Sequence, residues 1–324
     1  MRDKSVPIRV VVVVLCLSVS QGIAAVMHFN DGQIHDVDYE INDSVWVDYQ
    51  APGMKTTLNL LDDGYIRGAI AHEDSIINIS GGDALGAEAF DNSIINISGG
   101  SIEGDFNIYD SSRITMSGGS IGCLWAYGSN HITLSGGAII WLNTRNSQID
   151  ISGGAFGWLD AWSSQVDMSG GSFDLCLGAS GYSQVSISGG SIGSYLGVSG
   201  YSQVSISGGS IGEELRVFND GVLIINGRDF ALDGQLFGYG ELTSTLGGSY
   251  ADESRRRLTG TLASGELLDN DFRIGNDARI VLIPEPASVV MLGLGAVALV
   301  RRRKNKEGML KEKLQKVCCR NGGE

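Results

Sequence analysis

The sequence predicts an all-β protein, a single-stranded parallel β-helix of about nine coils, and three observations carry that prediction. The string Ser-Gly-Gly recurs at Ser80, Ser98, Ser117, Ser135, Ser152, Ser169, Ser188 and Ser207, with Asn226-Gly227 in the ninth place, at spacings of 17 to 19 residues. Counting back from each serine, the third and first positions are apolar, as in Ile77/Ile79, Ile114/Met116, Ile149/Ile151 and Val204/Ile206, an alternation of period two that marks a half-buried strand. A further apolar residue stands four places after most of the serines (Ile102, Ile121, Ile139, Phe156, Phe173, Ile192, Ile211), and then an inward pair completes the coil. That pair falls eight and ten places after serine in 19-residue repeats (Phe106/Ile108, Leu177/Ala179) and seven and nine in shorter ones (Leu124/Ala126, Leu159/Ala161). Strands thus keep register while a corner absorbs the length change.

Each segment has its own justification. Residues 1–24 read as a signal peptide: Arg2, Lys4 and Arg9 precede the apolar run Val10 to Val19, and Gly22-Ile23-Ala24 is a small-residue cleavage site. Residues 25–56 hold short strand-like pieces such as Ser44 to Asp48 among acidic turns and read as an N-terminal cap. Residues 57–227 form the β-helix; three short strands per coil cannot fold without neighbours, so stacking supplies the core. The variable coil length favours the right-handed kind over the stricter hexapeptide count of left-handed β-helices. Residues 228–282, with Glu241 to Ser244 and Arg279 to Leu282 among further strand-like pieces, read as a C-terminal cap that hides the edge of the stack.

Composition excludes several function classes. Glycine contributes 47 of 324 residues and proline 4, while 43% are hydrophobic, which fits neither collagen nor a disordered chain. Both ends are basic, so residues 25–300 carry 11 basic and 33 acidic side chains, a net charge of −22. Such a surface repels phosphate backbones and argues against nucleic acid as a partner. Cys123 and Cys176 in the body and Cys318 and Cys319 in the tail are too few for a disulfide scaffold, and no Cys-x-x-Cys pair suggests zinc.

The most specific signal lies at residues 283–304: Ile283-Pro284-Glu285-Pro286, an apolar stretch from Ala287 to Val300, then Arg301, Arg302, Arg303 and Lys304. This arrangement closely resembles the PEP-CTERM sorting signal of bacterial exported proteins. The resemblance implies that the segment parks the chain in the cytoplasmic membrane with the arginines inside, until an exosortase acts near Pro284-Glu285-Pro286 and releases the protein to the surface or outside. Fourteen apolar residues rise only about 21 Å, short of a ~30 Å bilayer core, which suits a transient tether. Residues 305–324 follow as a basic cytoplasmic tail, an addition to the usual pattern. The repeat region also looks like Ser-Gly-Gly solenoids that accompany such signals.

Candidate sites are few. His28, His35, His72 and His131 have no metal-ligand spacing, the Gly-Gly turns lack the aspartates of calcium-binding repeats, and no nucleophile motif occurs, so neither metal nor cofactor is expected. On the first strand, outward Gln148, Gln165, Gln184 and Gln203 form one row; Asp150 and Asp167 lie in the next, on adjacent coils, at a separation that would suit a retaining glycosidase. On the third strand, Trp141 and Trp158 stack on consecutive coils, with Trp125 and Trp162 nearby, a face suited to binding sugar rings. The sequence therefore predicts an exported β-helix of the cell surface or extracellular matrix, structural or polysaccharide-binding and not an enzyme, with a polysaccharide lyase or glycoside hydrolase as the alternative.

Overall fold

A computed structural model describes residues 26–49, 54–246, 248, 254–275 and 277–285. The expected signal peptide, the membrane segment, the basic cluster, the tail and its two cysteines lie outside these residues. Among the described residues, no helix is long and apolar enough to cross a membrane.

The alternation in the sequence becomes an all-β solenoid of about ten turns. The four-residue strands that precede each Ser-Gly-Gly stack in parallel, each residue opposite its counterpart in the next repeat: Ile76–Ile79 on Ile94–Ile97, then Arg113–Met116, His131–Leu134, Gln148–Ile151, Gln165–Met168, Gln184–Ile187 and Gln203–Ile206. Ile77, Ile95, Ile132 and Val204 are fully buried, as the period of two requires. The stack rises about 4.8 Å per turn, giving a rod of roughly 48 Å.

The two later segments of each coil are one bent strand through most of the rod, as in Ser101–Asp110, Ser120–Gly128, Ala138–Arg145, Ala155–Trp162 and Ser172–Ser180. They separate into Ser191–Ile192 with Tyr195–Val198 and Ser210–Ile211 with Glu214–Val217 in the following coils. Where neighbouring coils differ in length, a register shift falls at this bend, between Ile121 and Cys123 and between Phe156 and Trp158, or at the corner before the short strand, where Tyr127 pairs with Arg145 but His131 with Gln148. The two corners thus share the length changes.

Two different constraints fix the two glycines of Ser-Gly-Gly. A Cβ on Gly118 would lie 2.3 Å from the Ser98 carbonyl oxygen of the preceding coil, closer than any real contact. Gly119 instead has φ +76°, a left-handed conformation that costs a side chain strain. The opposite corner repeats the left-handed turn at Asp91, Asp110, Gly128, Asn146, Ser163, Gly181 and Gly200, largely residue types that tolerate it.

A polar column also runs inside the rod. Ser75, Ser93, Ser112, Asn130, Ser147, Ser164, Ser183 and Ser202 precede the short strands and are buried. Several bond to the next coil, Ser147 N–H donating to Ser164 Oγ at 3.2 Å and Ser164 N–H to Ser183 Oγ at 3.1 Å. These bonds satisfy backbone donors at a corner that strand pairing does not reach.

Parallel stacking begins before residue 57: Met27–Phe29 pairs with Glu40–Val47, and Ile34–Val37 with Thr57–Leu60. At the other end, Leu267–Ile274 adds in parallel to Glu214–Val217, and Arg279–Pro284 to Val222–Leu232. Antiparallel Arg256–Leu262 and Gly240–Thr243 lie against these strands. Buried Glu214 fastens this end, within 2.6 Å of Arg216 and 2.5 Å of Arg273. Burial acts to raise its carboxyl pKa, but hydrogen bonds from Arg273 and Arg216 outweigh that and hold it below the usual range. Cys123 and Cys176 are free thiols.

Two predictions follow from this packing. Gly118→Ala and Gly119→Ala are each expected to lower the denaturant midpoint by the equivalent of about 1–3 kcal/mol, the first through overpacking and the second through strain. An unchanged midpoint in either would refute the corresponding constraint. Because the folded-state pKa of Glu214 is depressed, its contribution is present above the unfolded carboxyl value near 4.3 and is lost as pH falls below it. Glu214→Gln should therefore weaken the wild-type fold at neutral pH and flatten the loss of stability that the wild type shows as pH falls through and below the ordinary carboxyl range, read by urea titration across pH.

Candidate functional site

Two outward faces carry chemistry. On the short-strand face, asparagines form a hydrogen-bonded ladder: the Asn96 amide donates to Asn78 at 2.9 Å, Asn78 to Asn59 at 2.8 Å, and Asn59 to Asp36 at 2.8 Å. Further along this row Asp150 and Asp167 are direct partners on adjacent strands. They line one shallow concavity of about 220 Å³ with Thr133, Ser152, Ser169 and Ser186. His131 Nε2 lies 3.3 Å from Asp150, and the Gln165 amide donates to Asp167 at 3.1 Å. The histidine is thus a neighbour of the acid pair. Its signal was positional, since His131 occupies the place held by Gln148 and Gln165 in the next repeats.

The other face is formed by the outward positions of the bent strands, in three columns along the rod. The first runs Asp105, Cys123, Trp141, Trp158, Cys176, Tyr195, Glu214. Its central tryptophans are stacked, with ring centroids 5.5 Å apart and planes 13° from parallel. Trp141 is 49% exposed, whereas Trp158 is half-buried. The second column runs Asn107, Trp125, Asn143, Asp160, Gly178, Gly197, Arg216. The third runs Tyr109, Tyr127, Arg145, Trp162, Ser180, with Trp162 51% exposed. The four tryptophans expected on this face thus occupy three parallel columns.

The third column continues as an aromatic ladder toward the N-terminal end. His72, Phe90, Tyr109 and Tyr127 follow one another at centroid distances of 4.7, 4.9 and 5.8 Å, Trp46 leans on His72 at 5.1 Å from the second column, and the Arg145 guanidinium lies 5.9 Å from the Tyr127 ring. Stacking of this kind contributes about 0.5–1.5 kcal/mol per pair and turns ring edges, not faces, to solvent. Most of this ladder escapes a search for inward alternation, although Phe90, Tyr109, Tyr127, Arg145 and Trp162 all stand ten or eleven places after their serines.

Electrostatics differ across this face. Burial raises the pKa of half-buried Asp160, opposed by the charge of Arg145. Burial also raises the Cys176 thiol, with Tyr195 and Arg216 acting against it. Arg216 lies over Tyr195, its guanidinium carbon 3.8 Å from the ring centroid, while its Nε holds Glu214. Among the described residues, no group of three or more His, Cys, Asp and Glu is placed to hold a metal ion.

At the C-terminal end, Pro284 closes the last strand opposite Gly227, and the next residue, Glu285, lies 3.3 Å from Arg228. Pro286, Arg301, Arg302 and Arg303 lie outside the described residues. The family model that matches is the PEP-CTERM protein-sorting motif, over residues 282–304. No curated protein and no solved structure matches the chain. The chain thus ends its β-solenoid in a PEP-CTERM sorting motif, which marks an exported protein processed by an exosortase at the membrane.

Proposed function

We propose that this protein is a polysaccharide-binding rod of the cell surface or extracellular matrix, using the three-column face around Trp141 and Trp158. The observation that carries this reading is the stacked, outward pair Trp141/Trp158 flanked by Trp125 and Trp162 within about three coils, with no strand of the described chain packed over them. Exposed aromatic groups interleaved with polar Asn143, Asp160 and Arg145 supply apolar contact for sugar C–H groups and partners for hydroxyls. A body of net charge −22 favours a neutral polymer over an anionic one. The transient membrane tether and its removal by an exosortase would deliver the rod to that polymer.

A second reading, a polysaccharide lyase or glycoside hydrolase, has its own support in the concavity that Asp150 and Asp167 share beside His131. The two readings separate by mutation. Trp141→Ala with Trp158→Ala should abolish retention on a neutral polysaccharide matrix while β-sheet circular dichroism persists, and Asp150→Asn with Asp167→Asn should leave retention unchanged. An enzyme would give release of reducing or unsaturated ends that disappears in the aspartate variant while much of the binding survives.

Processing is tested on the same protein. Mass spectrometry of the exported form should give a chain that starts near Ala25 and ends near Pro286. Recovery of extracellular protein that still contains Arg301 to Lys304 would refute the release step.

A further inference from the structure

We propose that a notch on the tryptophan face, floored by Gly178 and Gly197 and walled by Trp158 and Asp160 at one end and Tyr195 and Arg216 at the other, is a subsite for one ring of a neutral polysaccharide. It rests on the sugar-binding reading and gives it a location and a ligand class.

The argument begins with the two glycines. Asp160, Gly178, Gly197 and Arg216 are direct partners on successive coils, so two neighbouring side chains are missing from the middle of one column. Elsewhere in the described rod a glycine has a reason: a positive φ, or a Cβ position within 3.3 Å of another atom. At Gly178 the nearest atom to such a Cβ is 3.7 Å away, at Gly197 also 3.7 Å, and neither residue has positive φ. Both sit inside strands, where glycine costs about 0.5–1 kcal/mol relative to alanine. A strand glycine often serves a bulge, a bend or close approach by a ligand or another backbone, and the unbroken register at Gly178 and Gly197 sets aside the bulge.

Part-exposed Gly178 opens a concavity of about 240 Å³ that extends to Gly197, itself buried beside the Tyr195 ring. Pockets for drug-sized ligands start at about 300 Å³, so this volume suits a single ring-sized unit. Three coil steps separate the Asp160 and Arg216 backbones, about 14 Å, from which the two side chains subtract. Trp158 offers apolar ring surface on one wall, and on the opposite wall Arg216 is held in place by Tyr195 and Glu214. A carboxylate at one end accepts, and a guanidinium at the other donates, which matches hydroxyl groups that do both. Opposite charges across the notch leave no local excess to attract an ionic sugar, and the acidic body repels anionic ones.

The test uses the exported protein with cello-, laminari- and malto-oligosaccharides as neutral probes and oligogalacturonate as the anionic control, followed by calorimetry and tryptophan fluorescence. Gly178→Ala and Gly197→Ala should keep or raise the denaturant midpoint, and Gly197→Leu should weaken binding of the best neutral probe at least tenfold while sheet circular dichroism is retained. Asp160→Asn should weaken it as well. Lower midpoints for both alanine variants would show that the glycines serve the fold and would overturn the proposal. Wild-type affinity in Gly197→Leu, alongside lost binding in Trp141→Ala/Trp158→Ala, would overturn the notch and leave the face reading standing. Tighter binding of oligogalacturonate than of every neutral probe would overturn the ligand class. Binding of no probe by the wild type would overturn the face reading and the notch together.

Discussion

Successive coils touch at backbone distance, and the Ser-Gly-Gly corner is where that contact is tightest. Gly99, Gly118, Gly136, Gly153, Gly170, Gly189 and Gly208 each sit so near the preceding coil's serine carbonyl that a Cβ would fall within 2.5 Å of it. This close approach lets the short strands before each corner pair residue for residue, which brings Ile77 over Ile95 and Ile149 over Val166. The apolar column formed in this way buries nearly every inward side chain from Val37 to Ile225. A coil that could not settle at this spacing would lose both its strand hydrogen bonds and its share of the core, so cooperativity along the rod rests on a glycine in every turn.

The regular part of the fold was legible because two signals agreed: a period of two within strands and a period of 17 to 19 between them. What stayed hidden had no hydrophobic signature. The bend that joins Ile121 to Leu124 within one strand is a local matter of backbone hydrogen bonds, and alternation simply breaks there. The inner serine column reads in sequence as ordinary loop polarity, since Ser93 and Ser112 differ from exposed serines only in what surrounds them. The early start of the stack was obscured because Glu40–Val47 pairs with Tyr65–Ala71 across a register shift, which spoils the repeat spacing.

The site was legible in part for the same reason. Trp141 over Trp158 and Asp150 over Asp167 follow directly from coil alignment, because equal offsets in consecutive repeats become neighbours. Contacts between columns do not follow from alignment alone. His131, the register partner of Gln148, reaches Asp150 diagonally from the neighbouring coil. Glu214 takes its first-column place from coil alignment, yet its burial depends on Arg273, 59 residues later, arriving on the added strand Leu267–Ile274. Glycines are the hardest to read: Gly178 and Gly118 are the same letter, and only the surroundings distinguish a residue required by crowding from one that leaves space.

The C-terminal end joins fold and sorting in one strand. A parallel stack must end on exposed backbone donors and acceptors, a template for unwanted pairing. Here Gly240–Thr243 pairs antiparallel with Arg279–Pro284, and Arg256–Leu262 with Leu267–Ile274, so the direction of the chain reverses where another coil would dock. Pro284 then contributes no N–H at the strand's last position. The matched sorting motif starts at Leu282, itself buried and opposite Ile225, so its first residues belong to the last rung. Every described strand pairing lies at or before Pro284. In the proposed processing, cleavage just beyond Pro284-Glu285-Pro286 would therefore remove no rung, so that the rod would stay whole once the residues after it are gone.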